Sequence, residues 1–208
     1  MPSGTLTSAG IAAIGSKLLS MGVAVAALVV SVATATPPVH SVEKLDAQRY
    51  AGLWYELARV PNKLQATCSS DATTTYHLLP DGSMRLVNRC RDALERVNAA
   101  VARGEPLAGD PARLRLSYLP DWLSWWPGSH VDQWVVMLDD DYRVAVVSDP
   151  ERRSLWILSR TPSIDVSAFD DIVSRLRAQR YPVDRLVLTP HRASDEPMHD
   201  AARPHLMV

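Results

Sequence analysis

The residues of this chain that could do chemistry are few and dispersed. Cys68 and Cys90 are its only cysteines, and the histidines fall at His40, His77, His130, His191, His199 and His205, without metal-ligand spacing. There is no Gly-x-Ser-x-Gly elbow, no His-Glu-x-x-His, no Cys-x-x-Cys and no Gly-rich phosphate loop. Neither a metal, a cofactor nor a catalytic centre is expected. In an oxidising compartment the two cysteines are expected to pair, which would remove Cys68 as a nucleophile. If Asp81-Gly82 turns a hairpin, the two lie several positions out of register, so a bridge requires the chain to curl near Cys68.

Binding chemistry has better candidates. Within "YAGLWYE" (Tyr50 to Glu56), Glu56 stands two residues after Trp54, on the same face of a strand. A carboxylate facing an apolar interior needs a partner, either a ligand group or an internal hydrogen-bond network. The segment "DWLSWWPG" gathers Trp122, Trp125 and Trp126 in one loop. Three indoles there could dock on a bilayer interface, fold inward as a lid, or form an apolar patch for a homodimer. Arg152 and Arg153 in another loop could meet lipid phosphate, or remain solvated surface.

The elements that must position these residues are mostly strands. The chain has 208 residues, 47% hydrophobic, with a formal net charge of -1, so it can bury a core and has no electrostatic footprint for nucleic acid. Residues 1–35 carry a single charge, Lys17, before an apolar stretch ending in Ala33-Thr34-Ala35. This reads as an export signal cleaved after Ala35, or as a retained anchor, and either places the body outside the cytoplasm. No cysteine follows the stretch, so an obvious lipoprotein is not expected. Residues 36–42 read as a Pro-rich linker, 43–189 as one domain and 190–208 as a disordered tail.

Within the domain, short apolar-rich segments recur with turn signals between them, near 53–60, 71–79, 84–91, 95–103, 112–119, 131–138, 142–148 and 154–160. This predicts an all-β fold, an eight-stranded up-and-down antiparallel β-barrel. Loops 61–70, 92–94, 120–130 and 149–153 would share one end. One segment has helical period, with Val166, Phe169, Ile172, Val173 and Leu176 on a stripe, started by Asp165 or Ser167 and ended by Pro182. A short ninth strand from Arg185 follows it.

The segments "RYAGLWYELAR", "TTTYHLLPDGSMRLVNR", "LDDDYR" and "LWILSRTP" resemble the lipocalin family over about residues 43–189, and within it the bacterial outer-membrane lipocalins and the apolipoprotein D group. The resemblance implies that Trp54 closes the barrel floor under Arg160, and that Gly52 and the acidic turn at Asp139 are structural. It also implies a pocket lined by Tyr76, Asn88 and Trp134, beside Glu56. The implied ligand is a small hydrophobic molecule, a fatty acid or lysophospholipid, carried by an exported protein at the periplasm or outer membrane. A lipid-modifying enzyme using the same pocket, or a protein associating through its Trp-rich rim, are the alternatives.

Overall fold

The computed structural model describes residues 36–123, 126 and 129–192; the expected export signal and Trp125 lie outside them. A four-residue helix α1 (Ala47–Tyr50) precedes β1 (Gly52–Arg59). Seven strands follow in sequence: β2 (Ser70–Leu78), β3 (Met84–Arg91), β4 (Val97–Leu107), β5 (Asp110–Ser117), β6 (His130–Leu138), β7 (Val144–Ser148) and β8 (Leu155–Ser159). Each pairs antiparallel with the next, and β1 pairs with both β2 and β8, which closes the barrel. The expected eight-stranded up-and-down barrel is thus the fold. Helix α2 (Val166–Ala178) and a short β9 (Val187–Leu188) on β1 complete it.

Strand alternation sorts the apolar residues into two clusters. Inward-facing Trp54, Tyr76, Leu86, Leu114, Val135, Val147 and Leu158 form the inner core. Leu57, Val136, Val146, Leu155 and Ile157 face outward and are covered by Leu176, Tyr181 and Val183. β7 and β8 are therefore buried on both faces, which is why "VAVV" and "LWIL" read as unbroken apolar runs. Phe169, Ile172, Val173 and Leu176 of α2 pack on this outer cluster. Val166, placed on the same stripe by periodicity, is 76% exposed and does not join the outer cluster. Asp165 occupies the N-cap position without a side-chain hydrogen bond, and the helix ends at Gln179 and a left-handed Arg180, ahead of Pro182.

Both ends of the domain extend beyond their expected bounds. The segment expected as a linker is laid on the barrel: Val39 is buried in the outer cluster and the Val42 amide donates to the Val135 carbonyl at 2.8 Å. The chain also stays on the sheet past residue 189. The Pro190 carbonyl accepts from the Asp71 amide, and Arg192 pairs with Asp71 and Glu95. Sequence periodicity carries no signal for such docking, because it rests on one buried valine and a few polar contacts to segments distant in sequence.

The closed end is built on one cation. The Arg160 guanidinium carbon lies 3.8 Å from the Trp54 ring centroid, and among the described residues no carboxylate pairs with it. Its N–H groups instead donate to the carbonyls of Leu53 at 2.7 Å, Tyr142 at 3.2 Å, and Arg49, Tyr50 and Ala51 at 2.8 to 3.1 Å. Three of those carbonyls are the unpaired C-terminal groups of α1 and its cap. The Trp54 indole N–H donates to the Tyr50 carbonyl at 2.8 Å. The Asp139 turn lies at the same end, its carboxylate accepting from the amides of Asp141, Arg143 and Val144.

Gly52 fits this floor for two reasons. Its φ is +100°, and a Cβ added there would meet Arg160 Nη1 at 3.3 Å. Gly52→Ala is expected to lower unfolding free energy by about 1–3 kcal/mol in a denaturant titration, through backbone strain and displacement of the guanidinium; an unchanged midpoint would contradict this reading of the floor.

Candidate ligand cavity

Above the floor the barrel encloses a cavity of about 390 Å³. That lies within the range of small-molecule sites. Leu64, Leu116, Val131, Trp156 and Leu158 supply its apolar wall, and Thr74, Asn88, Tyr118, Gln133 and Gln65 its polar points. Arg85 and Arg89 border it too, but they alternate with Asn88 along β3, which turns their side chains to the outer face.

The expected pocket residues fall in three different places. Asn88 lines the cavity, accepting from the Thr74 hydroxyl at 2.7 Å and donating to the Tyr118 hydroxyl at 3.3 Å. Tyr76 lies below it in the floor, packed edge-on against Tyr50 with ring centroids 4.9 Å apart. Its hydroxyl accepts from Gln133 Nε2 at 3.2 Å, so it touches the cavity through that amide. Trp134 is on the wrong face. It packs with the outer cluster, and Arg113 stands 5.6 Å from its ring centroid. The cavity side of β6 is carried by Val131 and Gln133, with Val135 beneath, so the expected residue was one position out of phase.

Glu56 faces inward and is buried, but its carboxylate is fully engaged. Oε1 accepts from Arg59 Nη1 and the Thr189 hydroxyl, each at 2.6 Å, and Oε2 accepts from Gln65 Nε2 at 2.6 Å. Arg59 also donates to the Cys68 carbonyl at 2.8 Å, and the Trp156 indole donates to Gln65 Oε1 at 2.6 Å. The closed internal network is therefore the arrangement found. Arg59 escapes an alternation argument because a register shift between Glu56 and Ala58 returns it to the inner side.

This network holds the loop between β1 and β2 over the cavity, where Leu64, Gln65 and Cys68 form part of the wall. The same loop is tied by a disulfide between Cys68 and Cys90, whose Cα atoms are 5.5 Å apart. The register obstacle is removed by a shift in β2 between Ser70 and Thr73, at a left-handed Asp71. With its sulfur in the bridge, Cys68 offers no thiolate.

At the loop end, Trp122 and Trp126 are 74% and 55% exposed. The two arginines expected beside them are otherwise occupied. Arg152 donates to the Pro37 carbonyl at 2.8 Å and stacks over Tyr181 at 5.1 Å, while Arg153 pairs with Glu151 at the surface. Among the described residues no His, Cys, Asp and Glu cluster could hold a metal.

Sequence reasoning missed Gln133, Tyr118, Gln65 and Trp156. Tyr118 continues the alternation of Leu114 and Leu116 and was legible, whereas Gln65 sits in a loop whose path no local pattern specifies.

Closed floor, continuous hydrogen-bonded wall and a largely apolar interior define a closed barrel around an internal cavity. A family model described as a lipocalin-like domain matches residues 45–191. Temperature-induced lipocalin-1 of Arabidopsis thaliana is 32% identical over 166 residues, covering 78% of this chain and 87% of its own. The outer membrane lipoprotein Blc of Escherichia coli K12 is 31% identical over 163 residues, covering 77% and 88%. Among solved structures, the cockroach allergen Per a 4 superposes with a TM-score of 0.56 at 16% identity, over 76% of this chain and 93% of that one. The chain belongs to the lipocalin family.

The tyrosines of the floor and cavity supply a pH test. Burial raises the pKa of Tyr50, Tyr76 and Tyr118 above the ordinary tyrosine value. Each stays protonated in the fold where the unfolded chain ionises, so its contribution to stability is complete below about pH 10 and lost as pH rises further. Alkaline titration is expected to show a class of tyrosinates appearing only together with loss of native circular dichroism. Smooth ionisation of all tyrosines near their ordinary value, with the fold intact, would contradict the burial described.

Proposed function

We propose that this chain is an exported lipocalin that takes one acyl lipid, a fatty acid or lysophospholipid, into its barrel for lipid transport or membrane maintenance. The observation that carries the reading is the cavity of about 390 Å³, apolar over most of its wall and sealed below by Trp54 and Arg160. Each methylene buried there contributes about 0.8 kcal/mol, so an acyl chain alone supplies useful affinity. Glu56 is neutralised by Arg59, and Arg152 is committed elsewhere, so the lipid's charged head stays at the mouth in water. No covalent chemistry is invoked.

Export to the periplasm, or association with the outer membrane, is supported by the apolar leader, by the Cys68–Cys90 pairing and by the relative named as an outer membrane lipoprotein. Peripheral membrane contact is supported by the exposed apolar side chains of the loop end. Leu64, which also lines the cavity, is 43% exposed, and the exposed Leu94, Trp122 and Trp126 belong to two further loops at the same end of the barrel.

A delipidated sample is expected to take up palmitate or lysophosphatidylcholine saturably, at one per chain. Uptake from vesicles is expected to be several-fold slower in a Trp122→Ser, Trp126→Ser double variant that keeps wild-type affinity for dissolved lipid. Absence of any saturable uptake would refute the binding reading. Vesicle transfer unaffected by the double change, or loss of a dimer instead, would refute the membrane contact.

A further inference from the structure

The disulfide is part of the cavity wall and not a remote staple. Cys90 belongs to β3 and is 3% exposed, whereas Cys68 sits half-buried in the loop between β1 and β2, and both residues border the cavity. The bridge therefore joins a strand of the barrel to the loop that supplies Leu64, Gln65 and Cys68 to the same wall.

That loop has no apolar anchor. Every residue from 61 to 69 is half-buried or exposed. Its non-covalent ties are polar: Gln65 bonds Glu56 and Trp156, Arg59 donates to the Cys68 carbonyl, and the Ser69 amide donates to the Arg91 carbonyl. Water replaces such bonds at small net cost. A segment with few buried apolar contacts opens at free energies well below that of the whole fold. The covalent bridge is a tie that water cannot replace, and it keeps the loop near the position in which it completes the wall. Without it, a ligand that contacts Leu64, Gln65 and Cys68 must itself order the loop, and its apparent affinity falls with the fraction of chains whose wall is complete.

We propose that the Cys68–Cys90 bridge is a redox control on ligand retention: the oxidised chain holds its acyl lipid, and reduction by a dithiol releases it. In that step the dithiol becomes a disulfide, the S–S bond between Cys68 and Cys90 breaks, and two electrons and two protons leave both residues as thiols. Linkage makes the effect reciprocal, so a seated lipid makes the bridge harder to reduce by the factor that reduction weakens the lipid. The control rests on the reading that the cavity takes an acyl chain.

The test uses the delipidated full chain and a fluorescent fatty acid. Binding is measured in the oxidised chain, in the chain reduced with dithiothreitol, and in a Cys68→Ser, Cys90→Ser double variant, with circular dichroism to follow the fold. Reduction and the double change are each expected to weaken binding about tenfold, within the range usual for coupled sites, and to speed release. Dithiothreitol is expected to change nothing in the double variant; Cys68→Ala with Cys90→Val serves if the serine pair does not fold. A redox titration with saturating palmitate is expected to place the bridge about 30 mV more negative than without it, the equivalent of tenfold for a two-electron couple. Equal affinity in the oxidised and reduced chains, or one potential with and without palmitate, overturns the proposal and leaves the acyl-lipid reading intact. Loss of native circular dichroism on reduction also overturns it, because the bridge would then support the whole barrel and not the loop. Failure of the oxidised chain to bind the fatty acid overturns both.

Discussion

The structure depends on a half-buried cation that, among the described residues, is satisfied by carbonyls and an aromatic face and not by an acid. Arg160 meets the face of Trp54 and collects carbonyls from Arg49, Tyr50, Ala51, Leu53 and Tyr142. A guanidinium suits this place because its planar fork offers five donors while its face stacks on an indole, where cation–π attraction contributes on the order of 1 kcal/mol. The consequence is topological as much as energetic. One side chain from the end of β8 pins the start of β1 and the β6–β7 turn, so the strands that close the barrel are locked where the floor must be sealed. Everything about the cavity follows from that seal, since a barrel open at both ends would not exclude water from one of them.

The opposite end is arranged on a different principle. There the loop between β1 and β2 is held by a disulfide and by the buried Glu56–Arg59 pair, extended through Gln65 to Trp156 and through Thr189 to β9. A buried ion pair contributes little net stability against well-packed apolar residues, although removing one partner is costly. Its effect here is positional: it fixes a polar loop over an apolar chamber and neutralises the buried Glu56 carboxylate. The cavity that results is addressed by amides and hydroxyls.

The sequence made the barrel legible and the site only partly so. Strand number, order and the helix followed from alternation, turn residues and one stripe of 3.6 period, because barrel strands must put apolar groups inside at every second position. The floor of Gly52, Trp54, Asp139 and Arg160 was legible only through the resemblance to the lipocalins, because the contacts that build it join residues far apart in sequence. The site failed where phase is lost. Trp134 and Gln133 are neighbours, and only the register of β6 against β5 and β7 says which one faces in. Arg59 turns inward through a shift that leaves no mark in residue type. Arg152, the segment before residue 43 and residues 190–192 are held by contacts between distant parts of the chain, which no window of sequence displays.

The central claim is that the sealed chamber holds an acyl lipid. The most direct measurement is native mass spectrometry of the protein purified from the cells that make it, followed by organic extraction and lipid analysis. The account predicts a bound mass near one acyl lipid per chain that disappears on extraction and returns when lipid is supplied. A clean protein mass that stays unchanged after lipid challenge would contradict it.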